Sequence, residues 1–541
     1  MELPHLIAAL SDPAAYTPAD AVDAVEVRQT HISVVFLSGR HAYKIKKPVV
    51  LEFLDYGTLE KRRRCCEQEV RLNRRLAPSI YLGVVAVTHG ANGLRMEGRG
   101  EVVEWAVKME RLPEEATLAA RLRRGELDGA VITGIARRIA EFHAHAAAGP
   151  AIAACGRFAV VAANARQNLV EATVHIGAAL SRTVYERIAA LTEQALATLQ
   201  PTIERRAEHG VPRDGHGDLR LEHVYLFPDR VPPSDLVIVD AIEFNERFRY
   251  ADPVADMAFL AMDFTFHGRR DLAQVLADAY HLASGDDEGR ALLAFYTSYR
   301  AAVRAKVEGM KHAESEVPGI ERAAALSKAR GLWLLALGTL EELDRRPCLV
   351  LVGGLPGTGK STLARALTER AGFALVRSDV VRKELAGHLD YNASTASFAG
   401  GIYTPEWTER TYSECLRRAE VLLFEGRRVV VDASFVAESN RRRFLDLGAR
   451  AGVPRVLLIC QADPSIVRTR LESRRHDVSD AGWSTYLDAA RLWEEPGPDT
   501  RGALRMINTG ADGPIVVAGV LEVLHEHGLA AEQHPLPAPD S

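Results

Sequence analysis

Nine consecutive residues, Gly354-Leu355-Pro356-Gly357-Thr358-Gly359-Lys360-Ser361-Thr362, are of the types and spacing that hold a polyphosphate. The G-x-x-x-x-G-K-[ST] pattern lets backbone amides converge on phosphate oxygens, and a helix starting there adds a favourable dipole. Lys360 is expected to reach the β- and γ-phosphates, and the Ser361 hydroxyl to hold Mg2+. The apolar run Leu349–Val352 precedes the loop and an alanine- and leucine-rich helical pattern follows it. That strand, loop and helix order separates the motif from a glycine turn with a chance lysine. The expected ligand is a nucleoside triphosphate, ATP, with magnesium.

Further polar groups fall where such a loop would use them. Asp379 lies 19 residues beyond Lys360, at the end of a short apolar run, where a carboxylate can orient and deprotonate an acceptor hydroxyl. Arg382 could hold an anionic group of that acceptor. Asp432 ends Val429-Val430-Val431 and is expected to bind Mg2+ or position the acceptor. Arg468, Arg470 and Arg474 belong to a basic helical stretch that could close over the phosphates as a lid. For each aspartate the bland alternative is a helix N-cap, and for the arginines a solvated surface helix.

Positioning these groups requires strands alternating with helices. Leu349–Val352, Ala374–Arg377, Val429–Asp432, Val456–Gln461 and Met506–Thr509 read as strands of a parallel sheet covered by helices on both faces. Ligands of such sheets sit beyond the carboxyl ends of the strands. On the glycine loop, Arg377-Ser378-Asp379, Asp432 and the arginine stretch, this half resembles the P-loop kinase family that includes gluconate kinases, polynucleotide kinases and zeta toxins. The resemblance implies a three-layer αβα P-loop NTPase domain over residues 344–528 that transfers the γ-phosphate of ATP to a hydroxyl. A nucleotide-driven ATPase switch and a 5′-OH polynucleotide kinase are the alternatives.

The first half reads differently. Two β-prone runs, Ile32–Leu37 and Ala42–Lys46, flank a hairpin signal, and a charged helix follows over Thr58–Leu76. Strand-like runs at Leu82–Thr88 and Val102–Met109 come next. Lys44 sits in Ala42-Tyr43-Lys44, and Glu69 lies on the helix as its expected partner; Lys46 and Glu67 are the competing pair. Downstream come His216-Gly217-Asp218, His223, and an apolar strand ending in Asp240. On these residues the half resembles the aminoglycoside phosphotransferase family, which implies a bilobal protein-kinase-like fold. By that resemblance residues 30–112 form a small lobe and 113–343 a large one. Asp218 would then accept the acceptor's proton, Lys44 and Glu69 would serve the nucleotide, and Asp240 and the position of His223 would serve the metal. The family's asparagine is His223 here, and Asp240-Ala241-Ile242 stands where protein kinases carry D-F-G. The half is therefore expected to be a second kinase or a ligand sensor.

The fold class expected overall is a multidomain α/β and α+β protein. At 541 residues one core does not suffice, and a net charge of -5 gives no electrostatic argument for nucleic acid. The expected partner is a small-molecule or nucleotide-like acceptor. Six scattered cysteines suit a reducing cytosol, and the absence of a long apolar run or leader pattern in the sequence points to the cytoplasm rather than a membrane. Polar, proline-rich residues 529–541 are expected to be a disordered tail.

Overall fold

Alternation in Ser33–Lys46 builds the hairpin at the centre of the first half. Val34, Phe36, Tyr43 and Ile45 enter one core, so Lys44 and Lys46 must point to the opposite face. The computed structural model describes residues 2–17, 23–51, 54–91, 93–387, 404–473 and 482–531. The chain divides into two compact units, residues 1–163, 198–264 and 270–296 in the first, and 164–197, 265–269 and 297–541 in the second. The reading that carries one domain through residue 343 follows chain order, whereas contacts group 164–197 and 297–343 with the later residues.

In the first unit, β1 (Glu26–Gln29), β2 (Ser33–Ser38), β3 (His41–Lys46), β4 (Tyr81–Gly90), β5 (Gly93–Met96) and β6 (Glu101–Glu110) form one antiparallel sheet. Their order is β1-β2-β3-β6-β4-β5. Helix α1 (Leu59–Asn73) starts at Thr58, whose hydroxyl caps the Lys61 amide. Its buried residues Arg62, Cys66, Glu69 and Asn73 recur at helical spacing, so Glu69 faces inward with the apolar stripe. Cys66 and Val70 pack with Ile80 and with Tyr81 and Val107 of the sheet. Later in the unit come α2 (Gly129–His145), the hairpin β7 (Val224–Leu226) and β8 (Leu236–Ile238), and all but the last two residues of α3 (Val254–Phe266).

The second unit contains a five-stranded sheet, all parallel, in the order β10-β11-β9-β12-β13. These strands are β9 (Cys348–Gly353), β10 (Ala374–Arg377), β11 (Arg428–Asp432), β12 (Arg455–Gln461) and β13 (Leu504–Asn508). Every residue of β9 and β11 is buried, which is why their centres, Leu349–Val352 and Val429–Val431, read as apolar runs rather than alternating ones. The covering helices include α4 (Lys360–Ala371), α5 (Ser378–Leu385), α6 (Pro405–Phe424), α7 (Glu438–Arg450), α8 (Pro464–Ser473) and α9 (Gly513–Glu526). Leu363 and Leu367 of α4 and Leu521 and Leu524 of α9 close one core against the sheet. Leu529 and Ala530 complete that core, so the expected tail does not begin at 529. Among the described residues no helix is long and apolar enough to cross a membrane.

Candidate functional site

In the second unit the glycine loop joins β9 to α4 at the carboxyl end of the sheet. Gly354, Gly357 and Gly359 hold φ of +130°, +77° and +88°, the left-handed region that glycine enters at least cost. A Cβ on Gly354 would lie 2.3 Å from the Cys460 carbonyl oxygen. Gly354→Ala is therefore expected to cost roughly 1–3 kcal/mol, read as a lower urea midpoint. Leu355 turns its carbonyl inward, where it accepts from the Thr358 hydroxyl at 2.8 Å and from Lys360 Nζ at 2.7 Å. Pro356 lies within this turn, and Thr362 within the first turn of α4.

Register places the remaining groups. Arg377 of β10 and Asp432 of β11 are parallel partners at the strand ends, with Arg377 Nε 3.4 Å from Asp432 Oδ2. Ser361 and Lys360 stand near enough to Asp432 to favour its ionised form, which gathers the hydroxyl, the cation and the carboxylate expected at magnesium. Burial pushes the pKa of Asp432 up, and the Asp379 carboxylate adds to the rise, while Lys360 and Ser361 offset it only in part. The stability sign follows: with its folded pKa raised, Asp432 favours the fold below its unfolded pKa, and that contribution is lost as pH rises through the folded value.

An adjacent cation would relieve this cost, and the donors fit magnesium, which prefers oxygen: the Ser361 hydroxyl and the Asp432 carboxylate would hold it. Among the described residues no group of three or more His, Cys, Asp or Glu side chains is placed to hold a metal by itself. Because ligation needs the carboxylate, proton and metal compete. MgATP affinity is expected to fall by about tenfold per pH unit below the raised pKa, from a higher pH than a solvated carboxylate would show. Calorimetric titrations across pH should show this for the native chain and a flattened profile for Asp432→Asn.

Asp379 lies in the first turn of α5, near enough for its charge to act on Asp432. Arg382, one turn on, is buried and donates to the Thr408 hydroxyl of α6 at 3.4 Å. The arginines of α8 divide. Arg468 is exposed, paired with Glu472 at 2.8 Å, and its guanidinium lies 5.7 Å from the Trp483 ring centre. Arg470, not Arg468, turns toward the glycine loop. It donates to the Thr509 carbonyl at 2.8 Å, and the Thr509 hydroxyl donates to the Thr358 carbonyl at 2.6 Å. Thr509, just past the end of β13, carries no motif that would have announced this contact. Arg474 lies outside the described residues.

The first unit gathers a second constellation. Lys44 Nζ lies 2.6 Å from Asp240 Oδ1 and 2.9 Å from Glu69 Oε1. Lys46, on the same face of β3, pairs with the other oxygen of Glu69 and with Glu243, which also accepts from the Tyr56 hydroxyl at 2.6 Å. Glu67 is turned to solvent and pairs with Arg63 at 3.0 Å, so it is no partner of Lys46. Asp240 holds a φ of +66°, fixed by a bond from its amide to the Tyr81 hydroxyl at 3.1 Å and from the Ala241 amide to Asn73 Oδ1 at 2.8 Å. Burial works against its charge, but Lys44, with help from its other neighbours, holds the carboxyl well below the usual range.

Asp218 is reached from two sides. Arg220 Nε donates to its carboxylate at 3.0 Å, and His223 Nδ1 donates to its carbonyl at 2.9 Å. Since Nδ1 must carry the proton, Nε2 is the acceptor of the 2.8 Å bond from Arg220 Nη2. His223 thus offers no lone pair to a metal, contrary to its expected place. Burial and Arg220 push its pKa down, which keeps the ring neutral. The preceding turn is anchored by Asp256, which accepts from the His216 and Gly217 amides at 2.6 and 2.9 Å. His143 of α2 lies 3.3 Å from the same carboxylate, a structural role in line with its helical position. His216 is pushed down to about 4 by burial and is neutral as well.

A family model described as "AAA domain" matches residues 349–492. Over 457 residues the chain is 33% identical to "Uncharacterized protein Rv2004c" of Mycobacterium tuberculosis, covering 84% of this chain and 88% of that one. "Uncharacterized protein Mb2027c" of Mycobacterium bovis matches over the same 457 residues at the same 33% identity, with the same 84% and 88% coverage. Among solved structures, a sugar kinase from Janibacter sp. HTCC2649 is 14% identical with a TM-score of 0.26, covering 34% of this chain and 99% of its own. A gluconokinase from Sinorhizobium meliloti 1021 is 16% identical with a TM-score of 0.25, covering 34% and 94%. The parallel sheet, its glycine loop and the AAA-domain match are consistent with a P-loop NTPase fold in the second unit. At one third identity over more than four fifths of its length, the chain belongs to the family of these mycobacterial proteins.

Proposed function

We propose that this protein is an ATP- and Mg2+-dependent phosphotransferase whose active site is the glycine loop of the second unit. Its acceptor is a hydroxyl of a small molecule or nucleotide-like compound. The observation that carries this reading is the buried Asp432 at the end of β11, with Lys360, Ser361 and Asp379 all near enough to act on its charge. Loop amides bind and orient the triphosphate, and Lys360 swings from the Leu355 carbonyl to its β- and γ-oxygens. When bound, magnesium supplies charge neutralisation between those oxygens. Asp379 takes the proton of the acceptor hydroxyl as its oxygen bonds to the γ-phosphorus, and the bond from that phosphorus to the β-γ bridging oxygen breaks to release ADP. Arg382 holds an anionic group of the acceptor, and Arg470 secures α8 against the loop.

The first unit we read as a second nucleotide site of aminoglycoside phosphotransferase type, acting as a kinase or as a sensor. Support comes from the Lys44–Glu69–Asp240 cluster and from Asp218 lying beside Arg220 and His223. Labelled ATP offered with panels of sugars, sugar acids, nucleosides and 5′-OH oligonucleotides tests the main assignment. Label should pass to one acceptor class and be lost with Asp379→Asn. Label released only as inorganic phosphate, whatever the acceptor, would instead identify an ATPase switch.

A further inference from the structure

Three bonds fix Thr509, the residue that follows β13. Its amide donates to the carbonyl of Gln461, the last residue of β12, at 2.8 Å. Its carbonyl accepts from Arg470 Nη2 of α8 at 2.8 Å. Its hydroxyl stands 2.6 Å from the Thr358 carbonyl and 3.0 Å from the Gln461 carbonyl. A hydroxyl has one proton to give, and Gln461 already receives the Thr509 amide, so the proton goes to the nearer Thr358 oxygen. Thr509 is buried, and little water competes for that bond.

The bond controls the peptide between Thr358 and Gly359. That peptide is trans, so its carbonyl and its N–H point in opposite directions. A carbonyl held toward Thr509 therefore turns the Gly359 N–H away from Thr509. Glycine tolerates either direction of this peptide, so the loop's own sequence does not settle which way the donor points. Thr509 lies directly against the bare backbone there, where a Cβ on Gly359 would stand 3.5 Å from Thr509 Cβ. The loop amides also differ in what they already hold. Gly354 donates to the Ser434 carbonyl at 3.1 Å and Thr358 to the Leu355 carbonyl at 3.3 Å, whereas among the described residues no carbonyl accepts from the Gly359 amide. An amide at the head of α4 with no internal partner is a donor open to a ligand.

We infer that Thr509 is a positioning residue for nucleotide binding: its hydroxyl holds the Thr358–Gly359 peptide so that the Gly359 N–H points at the β-phosphate. The inference rests on reading the glycine loop as a nucleotide site. It goes beyond that reading by placing part of the phosphate affinity on a side chain 151 residues from Thr358. Gln461 and Arg470 hold the threonine in turn, so β12 and α8 brace the loop through it.

Calorimetry of MgADP and of β,γ-imido-ATP with Mg2+ on the full chain tests this. Lys360→Ala marks which part of the binding belongs to the glycine loop. Thr509→Val keeps the shape of the side chain and removes the donor. It should weaken the Lys360-dependent binding of both nucleotides about tenfold at unchanged stoichiometry, since both carry a β-phosphate. Thr509→Ser keeps the hydroxyl and should regain most of the loss. A merely structural threonine would lower the stoichiometry or the melting temperature and leave the affinity of the folded fraction as it was. That result, or native affinity in Thr509→Val, would overturn the inference while leaving the nucleotide reading in place. Binding undiminished in Lys360→Ala would instead overturn the nucleotide reading of the loop, and the inference with it.

Discussion

Lys360→Ala is expected to lower phosphoryl transfer by about 10²–10³-fold while leaving the melting temperature of the chain close to that of the native protein. The rate effect follows from where the charge acts. A preorganised cation at the migrating phosphoryl group, in a site sheltered from water, is worth several kcal/mol of barrier, the scale measured for single electrostatic donors elsewhere. The small stability effect follows from the contact given up. Lys360 donates to the Leu355 carbonyl, which keeps a second donor in the Thr358 hydroxyl. Steady-state rates with saturating acceptor, together with a thermal melt, check both halves of the prediction. A large fall in melting temperature would mean that the lysine is chiefly structural.

The opposite split is expected for Lys46→Met in the first unit. Lys46 is 1% exposed and neutralises two carboxylates that are themselves buried, Glu69 at 0% and Glu243 at 5% side-chain exposure. Removing one partner of a buried ion cluster strands the others without solvent, and a loss of about 3–5 kcal/mol is expected in urea unfolding. Lys44→Met, in a side chain 14% exposed, should cost less, because Asp240 can regain water. Coupling identifies the cause. The double variant Lys46→Met/Glu243→Gln should be less destabilised than the sum of the singles. Strict additivity would mean that the cluster is not the source of the loss.

Much of the architecture is legible in the chain because burial writes itself into composition. Five short apolar runs mark the strands of the parallel sheet, each within a few residues of its observed limits. The central hairpin and α1 of the first unit are equally plain. By contrast, β1 (Glu26–Gln29) is a polar edge strand with a mostly exposed face, and no alternation betrays it. Whether helices such as Gly319–Leu340 belong to the earlier or later unit depends on which surface covers them, and an apolar stripe does not carry that information.

The candidate sites divide along the same line. The glycine loop is a local motif, and its neighbours Asp379 and Asp432 are found by following strand ends. The partnership of Lys46 with Glu243 spans 197 residues of sequence and has no motif. A two-residue step on a helix decides that Arg470 rather than Arg468 meets Thr509, and both look alike in the sequence. His223 stands at a position where the resemblance expects an oxygen donor, and only the hydrogen bonds reveal that Arg220 has taken its free nitrogen.

The loop at 354–361 is expected to grip a triphosphate whose magnesium is held by Ser361 and Asp432 opposite Asp379. A crystal of the full chain grown with β,γ-imido-ATP and Mg2+ tests it most directly. Phosphate density cradled by those amides, with the ion on the Ser361 hydroxyl and Asp379 facing the γ-phosphate, is the predicted result. Phosphates bound elsewhere in the second unit, or Asp379 turned away from the γ-phosphate, would contradict it.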